Sequence, residues 1–395
     1  MPTQISIGFS EDIDPFIAAR DAAFEARTKL KNQKTHFALV FATIHYKPSQ
    51  ILPIINETLE EARLIGSSCA GIILSNANSK RGLAILAIHS NEIQFGIGSV
   101  ENINPNDTYD AGRNLARMAL SDFTSTHRYA FLTFIDGRIA NNSPLLKGVQ
   151  EVLGNAFPII GAGSCDDFHF NETYQFFQNN ALQHSAIGVI LGGQIAVGIG
   201  GGHGWRPLGK PRLIDKTEGN IIETIDGKYA AAIYDEYLGS ESQHLHSDKF
   251  GQMGILYPLG IYVEESNQYL LRNAVDILPN GNIVCQGDVQ EKSIVHVMIG
   301  NKESCKDAAI QAAREASRNL LGKTAKLVII IESMARLKLL GRMAFEEIKE
   351  IKEIFGSEVS IFGMYSHGEI YPVQTKDNVK KPHHQNESIA VLAIS

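Results

Sequence analysis

The chain has 395 residues, of which 44% are hydrophobic and 20% charged, with a formal net charge of −7. This length exceeds what one core organises and predicts two or three domains of ordinary globular composition, not a disordered chain. The acidic balance and the lack of a dense Lys/Arg stripe argue against nucleic acid as a partner.

Residues 1–10 carry neither a basic n-region nor an apolar h-region, so no secretory signal is expected. Asp14 followed by Pro15 has the form of a helix cap and first-turn proline. Phe16, Ala19, Ala23, Ala26 and Leu30 then recur at helical spacing, predicting an opening helix. Next comes the first of three copies of one pattern: an apolar strand at 38–42, a helix over 53–64, and a strand that breaks at Gly66-Ser67-Ser68-Cys69. A return strand is predicted at 83–88, and an amphipathic helix at 107–120. The second copy has a strand at 129–134, a helix over 144–153 behind the Ser143-Pro144 cap signature, and a corner at Gly161-Ala162-Gly163-Ser164-Cys165-Asp166. The apolar run 186–202 is read as two short strands about Gly192-Gly193-Gln194, because Gln194 and the paired glycines suit a turn better than a membrane span.

The Gly- and Pro-rich stretch 200–219 is the best domain boundary, and 239–254 reads as a polar, His-containing surface loop. An Ala-rich helix is expected at 303–321. The third copy follows, with a strand at 327–331, a helix over 344–355, a corner at Gly363-Met364-Tyr365-Ser366-His367-Gly368-Glu369 and a return strand at 388–394. The expected fold class is therefore α/β with mixed sheets, in two domains built from repeated strand-helix-strand-strand units. Residues 1–36 form the lead-in, 37–205 a first domain of two units, 206–238 the junction and start of a second domain, and 239–395 that second domain. Small, polar corners at corresponding sheet ends are where ligands of α/β proteins tend to sit.

Several motifs fall short of the chemistry they suggest. Gly204-Trp205-Arg206-Pro207-Leu208-Gly209-Lys210-Pro211 nearly spells a P-loop, but Pro211 supplies no hydroxyl for Mg²⁺ and strand-like residues follow, which favours a plain interdomain turn. Gly66-Ser67-Ser68-Cys69-Ala70 resembles a nucleophile elbow, yet strand-like residues follow where a helix is required. Cys69, Cys165, Cys285 and Cys305 show no paired spacing, consistent with a reducing cytoplasm and no zinc site. His244, His246 and Asp248 make a weak metal set, and His383-His384 falls in a predicted polar loop. Arg336 and Glu369 should lie near one sheet end, where a guanidinium grips a carboxylate and a carboxylate holds an ammonium. An internal Arg-Glu ion pair is the competing reading.

With these residues in view, the chain resembles the FIST family. The resemblance rests on Leu64-Ile65-Gly66-Ser67-Ser68-Cys69-Ala70-Gly71, the Gly204-Trp205-Arg206-Pro207 junction, Asp226-Gly227-Lys228-Tyr229-Ala230, Tyr257-Pro258-Leu259-Gly260, Leu271-Arg272 and Gly368-Glu369-Ile370. It implies a FIST N-like domain followed by a FIST C-like domain, and a ligand-sensing role toward amino acids or related metabolites. It also implies a haem-binding, nitric-oxide-sensing branch; no cofactor is expected here, with haem as the alternative. Where the family often shows Cys-x-Gly-Arg, this chain has Ser333-Met334-Ala335-Arg336, so a thiol role there is not expected. Relatives are fused to histidine kinases, cyclic-dinucleotide enzymes or chemotaxis receptors. With about 36 residues before the first domain and about 20 after the last motif, the expectation is a cytoplasmic sensor that signals to a separate protein. Ser67, Ser68, Cys69, Ser164, Asp166, Arg336, His367 and Glu369 are the residues expected to line its site. An enzyme using the same pocket through Cys69, His367 or Glu369 is the rival reading.

Overall fold

The computed structural model describes residues 3–105, 107–167, 169, 171–239, 256–377 and 379–395. His244, His246, Asp248 and nearly all of the anticipated 239–254 loop lie outside the described residues.

The repeat is longer than its sequence signature. Each unit runs edge strand, helix, strand, helix, strand, hairpin, return strand. In the first unit the edge strand is Gln4–Ser10, and the parallel pair Phe37–Thr43 and Arg63–Cys69 flanks the helix Pro48–Thr58. That helix starts earlier than expected. Pro48 takes the first-turn position and Pro53 lies inside, where it removes only one backbone bond. The opening helix Pro15–Lys29 begins as predicted, with Asp14 Oδ1 accepting from the Phe16 and Ile17 amides. The second unit pairs Arg128–Asp136 with Ile159–Ser164, and the third pairs Leu327–Ser333 with Ser360–Ser366. The return strands Leu83–His89, Ala186–Gly193 and Ile389–Ile394 lie antiparallel to the first strand of each pair.

Each unit then lends its hairpin to a neighbour. The first unit's hairpin strand Gly71–Leu74 pairs with Ser360–Ser366 of the third. The second unit's Gln175–Phe177 pairs with Arg63–Cys69 of the first, and the third unit's Glu369–Gln374 pairs with Ile159–Ser164 of the second. The exchange closes a cycle of three six-stranded sheets. Their inner faces share one apolar core, in which Phe41 stacks on Phe362 at 5.0 Å and meets Phe134 edge-on at 5.4 Å. Separate helix-covered cores lie on the outer faces.

Between the third unit's edge strand Val197–Gly202 and its helix Lys302–Asn319, the described residues of 206–299 form an insert whose strands all pair antiparallel, with its own core around Ile214, Ile222 and Val295. The P-loop-like stretch enters this insert. Gly204 turns the chain with φ +85°, and Arg206–Glu218 continues as a long strand that pairs first with Ile294–Ile299 and then with Ile221–Ile225. It is strand where a plain turn was anticipated, because both of its edges find partners. The fold is thus mixed α/β with mixed sheets. No helix of the described residues is long and apolar enough to cross a membrane.

Candidate functional site

The three corners meet. The Ala70 N–H donates to the Tyr365 carbonyl (3.0 Å), the Cys165 N–H to the Ser68 carbonyl (3.2 Å), and the His367 N–H to the Gly163 carbonyl (3.2 Å). These bonds link first unit to third, second to first and third to second, in the sense of the hairpin exchange. The corner side chains are bonded there too. Ser67 Oγ lies 2.7 Å from Ser164 Oγ, which accepts from Gln175 Nε2 at 2.9 Å. Ser68 Oγ accepts from the Tyr174 amide, and Asp166 accepts from the Asn171 and Glu172 amides. Cys69 is fully buried and burial pushes its thiol far up; the Cys165 thiol, raised by burial and by Cys69, donates to the Tyr365 carbonyl. The corners therefore converge by bonding to one another.

Arg336 is likewise engaged. It lies on the helix Met334–Leu340, capped by Ser333 Oγ, which accepts from the Ala335 amide at 3.2 Å. The Ser333 hydroxyl is thus a helix cap. Arg336 donates to Glu332 (3.0 Å), Glu347 (2.7 Å) and the carbonyls of His203 and Cys305. All three charged side chains are fully buried. Burial opposes the guanidinium charge, but Glu347 and Glu332 hold it protonated. Burial and Glu347 push Glu332 well above the carboxylate range. The internal ion pair exists, with Glu332 and Glu347 as the partners rather than Glu369. Glu369 lies within reach of the Arg336 charge without bonding to it.

Glu369 and His367 lead to a different group of side chains. Glu369 Oε1 sits 2.8 Å from Ser366 Oγ, while Oε2 accepts from the Ser388 amide (3.1 Å) and hydroxyl (2.8 Å). Burial raises Glu369 to about 7 against these bonds, and lowers His367 to about 4. Beside them the chain between the hairpin and the last strand is laced to the insert. Gln385 Oε1 accepts from the Leu271 amide (3.0 Å), Asn386 Nδ2 donates to the carbonyls of Leu271 (3.0 Å) and Gln286 (3.1 Å), and the Gln286 amide donates to the Asn273 carbonyl (2.9 Å).

What this lacing leaves unpaired is the distinctive feature. Asn273 Oδ1, both amide atoms of Gln286, both ring nitrogens of His384, Gln385 Nε2, Asn386 Oδ1 and both oxygens of Glu387 are buried without a hydrogen-bond partner. Glu387 also has a left-handed backbone, φ +55°, which non-glycine residues adopt at a cost. Burial, then the Glu369 charge, raise its carboxyl well above the usual range, against the opposing pull of the nearby Asn273 side chain and the Arg336 charge. His384 is driven down to about 3 by burial, with the Arg272 and His367 charges adding. Its ring lies between two glycines with positive φ. A Cβ on Gly368 would fall 2.6 Å from His384 Nε2, and one on Gly287 2.9 Å from Nδ1. His383 and His384 belong to the strand Lys380–Gln385, not to a loop, because Glu369–Gln374 pairs along it.

Reasoning from sequence placed Glu369 and His367 in this neighbourhood and missed Asn273, Gln286 and residues 384–387. A Gln-Asn-Glu run entering a strand was the one available signal.

The FIST N domain family matches residues 36–228 and the FIST C domain family residues 230–372. An uncharacterised protein of Methanocaldococcus jannaschii is 27% identical over 113 residues, covering 28% of this chain and 21% of that protein. The chain thus spans about a fifth of the length of that curated relative. Among solved structures, cyanuric acid hydrolase from A. caulinodans aligns over 100% of this chain and 99% of its own at a TM-score of 0.39 and 8% identity. A second cyanuric acid hydrolase structure aligns over 100% of both chains at 0.35 and 9%.

Proposed function

The chain belongs to the FIST family, and we propose that it is a sensory protein that binds a small polar metabolite, an amino acid or a carboxylate, and signals to a separate protein. One observation carries this reading: six side chains, two beside one strand pair of the insert and four from the run 384–387, each hold at least one buried polar atom toward no protein partner. Each such atom costs about 1–3 kcal/mol if it stays unpaired, so a bound molecule or ordered water is needed to complete the group. Glu387 and Glu369 suit an ammonium, and the amide nitrogens of Gln286 and Gln385 suit a carboxylate.

The group straddles the insert and the three-unit ring, so a ligand there would bias the placement of one against the other. A histidine kinase or cyclic-dinucleotide enzyme is the kind of partner such a shift would address. The expected residues Ser67, Ser68, Cys69, Ser164, Asp166 and Arg336 would then frame the site through the bonds that hold the corners. Haem suits these surroundings less well, since an axial histidine needs a broad apolar slot, whereas His384 is wedged against Gly368 and the Gln286 amide.

A thermal-shift screen against amino acids and small carboxylates tests the reading. A ligand at a hundred times its Kd should stabilise the wild type by about 2.7 kcal/mol. Glu387→Gln and Gln286→Leu should lose that shift. Ligands that stabilise both variants as well as the wild type would place the site elsewhere.

A further inference from the structure

A groove of about 600 Å³ opens where the helix Ser143–Leu153, the insert and the hairpin strand Lys380–Gln385 meet. Arg272 and His384 are among its lining residues, though only 4% and 3% exposed. Three backbone carbonyls hold the Arg272 guanidinium: Asp288 (2.9 Å), Leu271 (2.9 Å) and His384 (3.0 Å). No carboxylate pairs with it among the described residues; the nearby Asp288 side chain is taken by Lys147 at 2.5 Å. Burial lowers Arg272 to about 10, as befits a cation short of a counterion. Both ring nitrogens of His384 lack partners. Gly287, φ +103°, keeps the space between the two side chains open, since a Cβ there would lie 2.9 Å from His384 Nδ1 and 3.0 Å from Arg272 Nε.

We propose that the floor of this groove binds a small organic carboxylate with an apolar body. The Arg272 guanidinium receives the carboxylate, the neutral His384 ring donates beside it, and Ile261, Leu270 and Ile294 on the walls cover the apolar part. A singly charged ligand suits the site better than a phosphate. One guanidinium meets one carboxylate, and the groove is lined by as many carboxylates as lysines and arginines. This site faces outward, shares only His384 with the inner group around Glu387 and takes its charge from Arg272, so it stands whether or not the sensory reading does.

Titration calorimetry of the full chain with butyrate, benzoate and inorganic phosphate tests it. Butyrate and benzoate should bind one per chain, and phosphate should bind at least about tenfold more weakly. Arg272→Lys keeps the charge and loses the Nη2 donors that remain after the three carbonyl bonds, and should weaken carboxylate binding about tenfold or more. Ile294→Glu, at a wall position 38% exposed and therefore safe for folding, should do the same by placing an anion in the path. Glu387→Gln should leave this binding unchanged. The proposal is overturned if neither carboxylate binds saturably, if Ile294→Glu binds them as the wild type does, if phosphate binds as tightly, or if Glu387→Gln abolishes binding.

Discussion

Glu369 couples the stability of the fold to pH with a sign opposite to that of a surface carboxylate. Its folded-state value is about 7 against an ordinary 4.5, because burial penalises the charge more than the Ser366 and Ser388 bonds relieve it. A carboxyl with a raised native value stabilises the fold, relative to the ionised state, below pH 4.5. That contribution falls as pH climbs from 4.5 to 7 and is gone above 7. The span of about 2.5 units corresponds to about 3 kcal/mol, and the full burial of the group leaves little solvent to screen it. Glu369→Gln should abolish this term while keeping the local bonds. Its amide oxygen can accept both Ser388 bonds and its nitrogen can donate to Ser366 Oγ, whose own proton then turns to the Glu332 carbonyl 3.2 Å away. Urea denaturation of both proteins at pH 4.5, 6 and 8 provides the measurement. The variant should gain on the wild type by about 3 kcal/mol between the lowest and highest pH, with a further small gain because Glu387 loses a neighbouring charge. A gain under about 1 kcal/mol would refute the claim that burial dominates at Glu369.

Two more outcomes follow from the corners and the ion-pair group. Gly161 lies so close to the paired strand that an added Cβ would fall 2.1 Å from the Thr133 carbonyl; Gly66 and Gly363 meet Val40 and Ile330 the same way at 2.1 and 2.2 Å. Gly161→Ala should therefore cost about 1–3 kcal/mol or more, seen as a lowered denaturation midpoint, and an unchanged midpoint would mean these strands can separate without penalty. Arg336→Met removes the cation shared by Glu332 and Glu347 and should destabilise by about 3–5 kcal/mol at pH 8, less at pH 5, where Glu332, held well above the carboxylate range, takes up a proton. Equal losses at the two pH values would show that the missing packing, not the missing charge, is responsible.

The amino-acid sequence by itself determined the units. Apolar strands, amphipathic helices and Gly-Ser corners are written in local spacing, and the helices Ser143–Leu153 and Met343–Phe355 start within a residue of where their caps and stripes put them. Only the tertiary structure decided which strands each hairpin would meet. A hairpin's edge bonds equally well to any antiparallel neighbour, and the choice of the next unit's sheet rests on closing three sheets around one core. The same holds for the partners of Arg336, where Glu347 is supplied by a packed helix that spacing alone does not place. It holds most of all for the inner polar group, because residues 384–387 lie about a hundred residues along the chain from Asn273 and Gln286 and share no periodicity with them. Hydrogen-bond vacancy is a property of packed surroundings, and no residue carries it before the chain has folded.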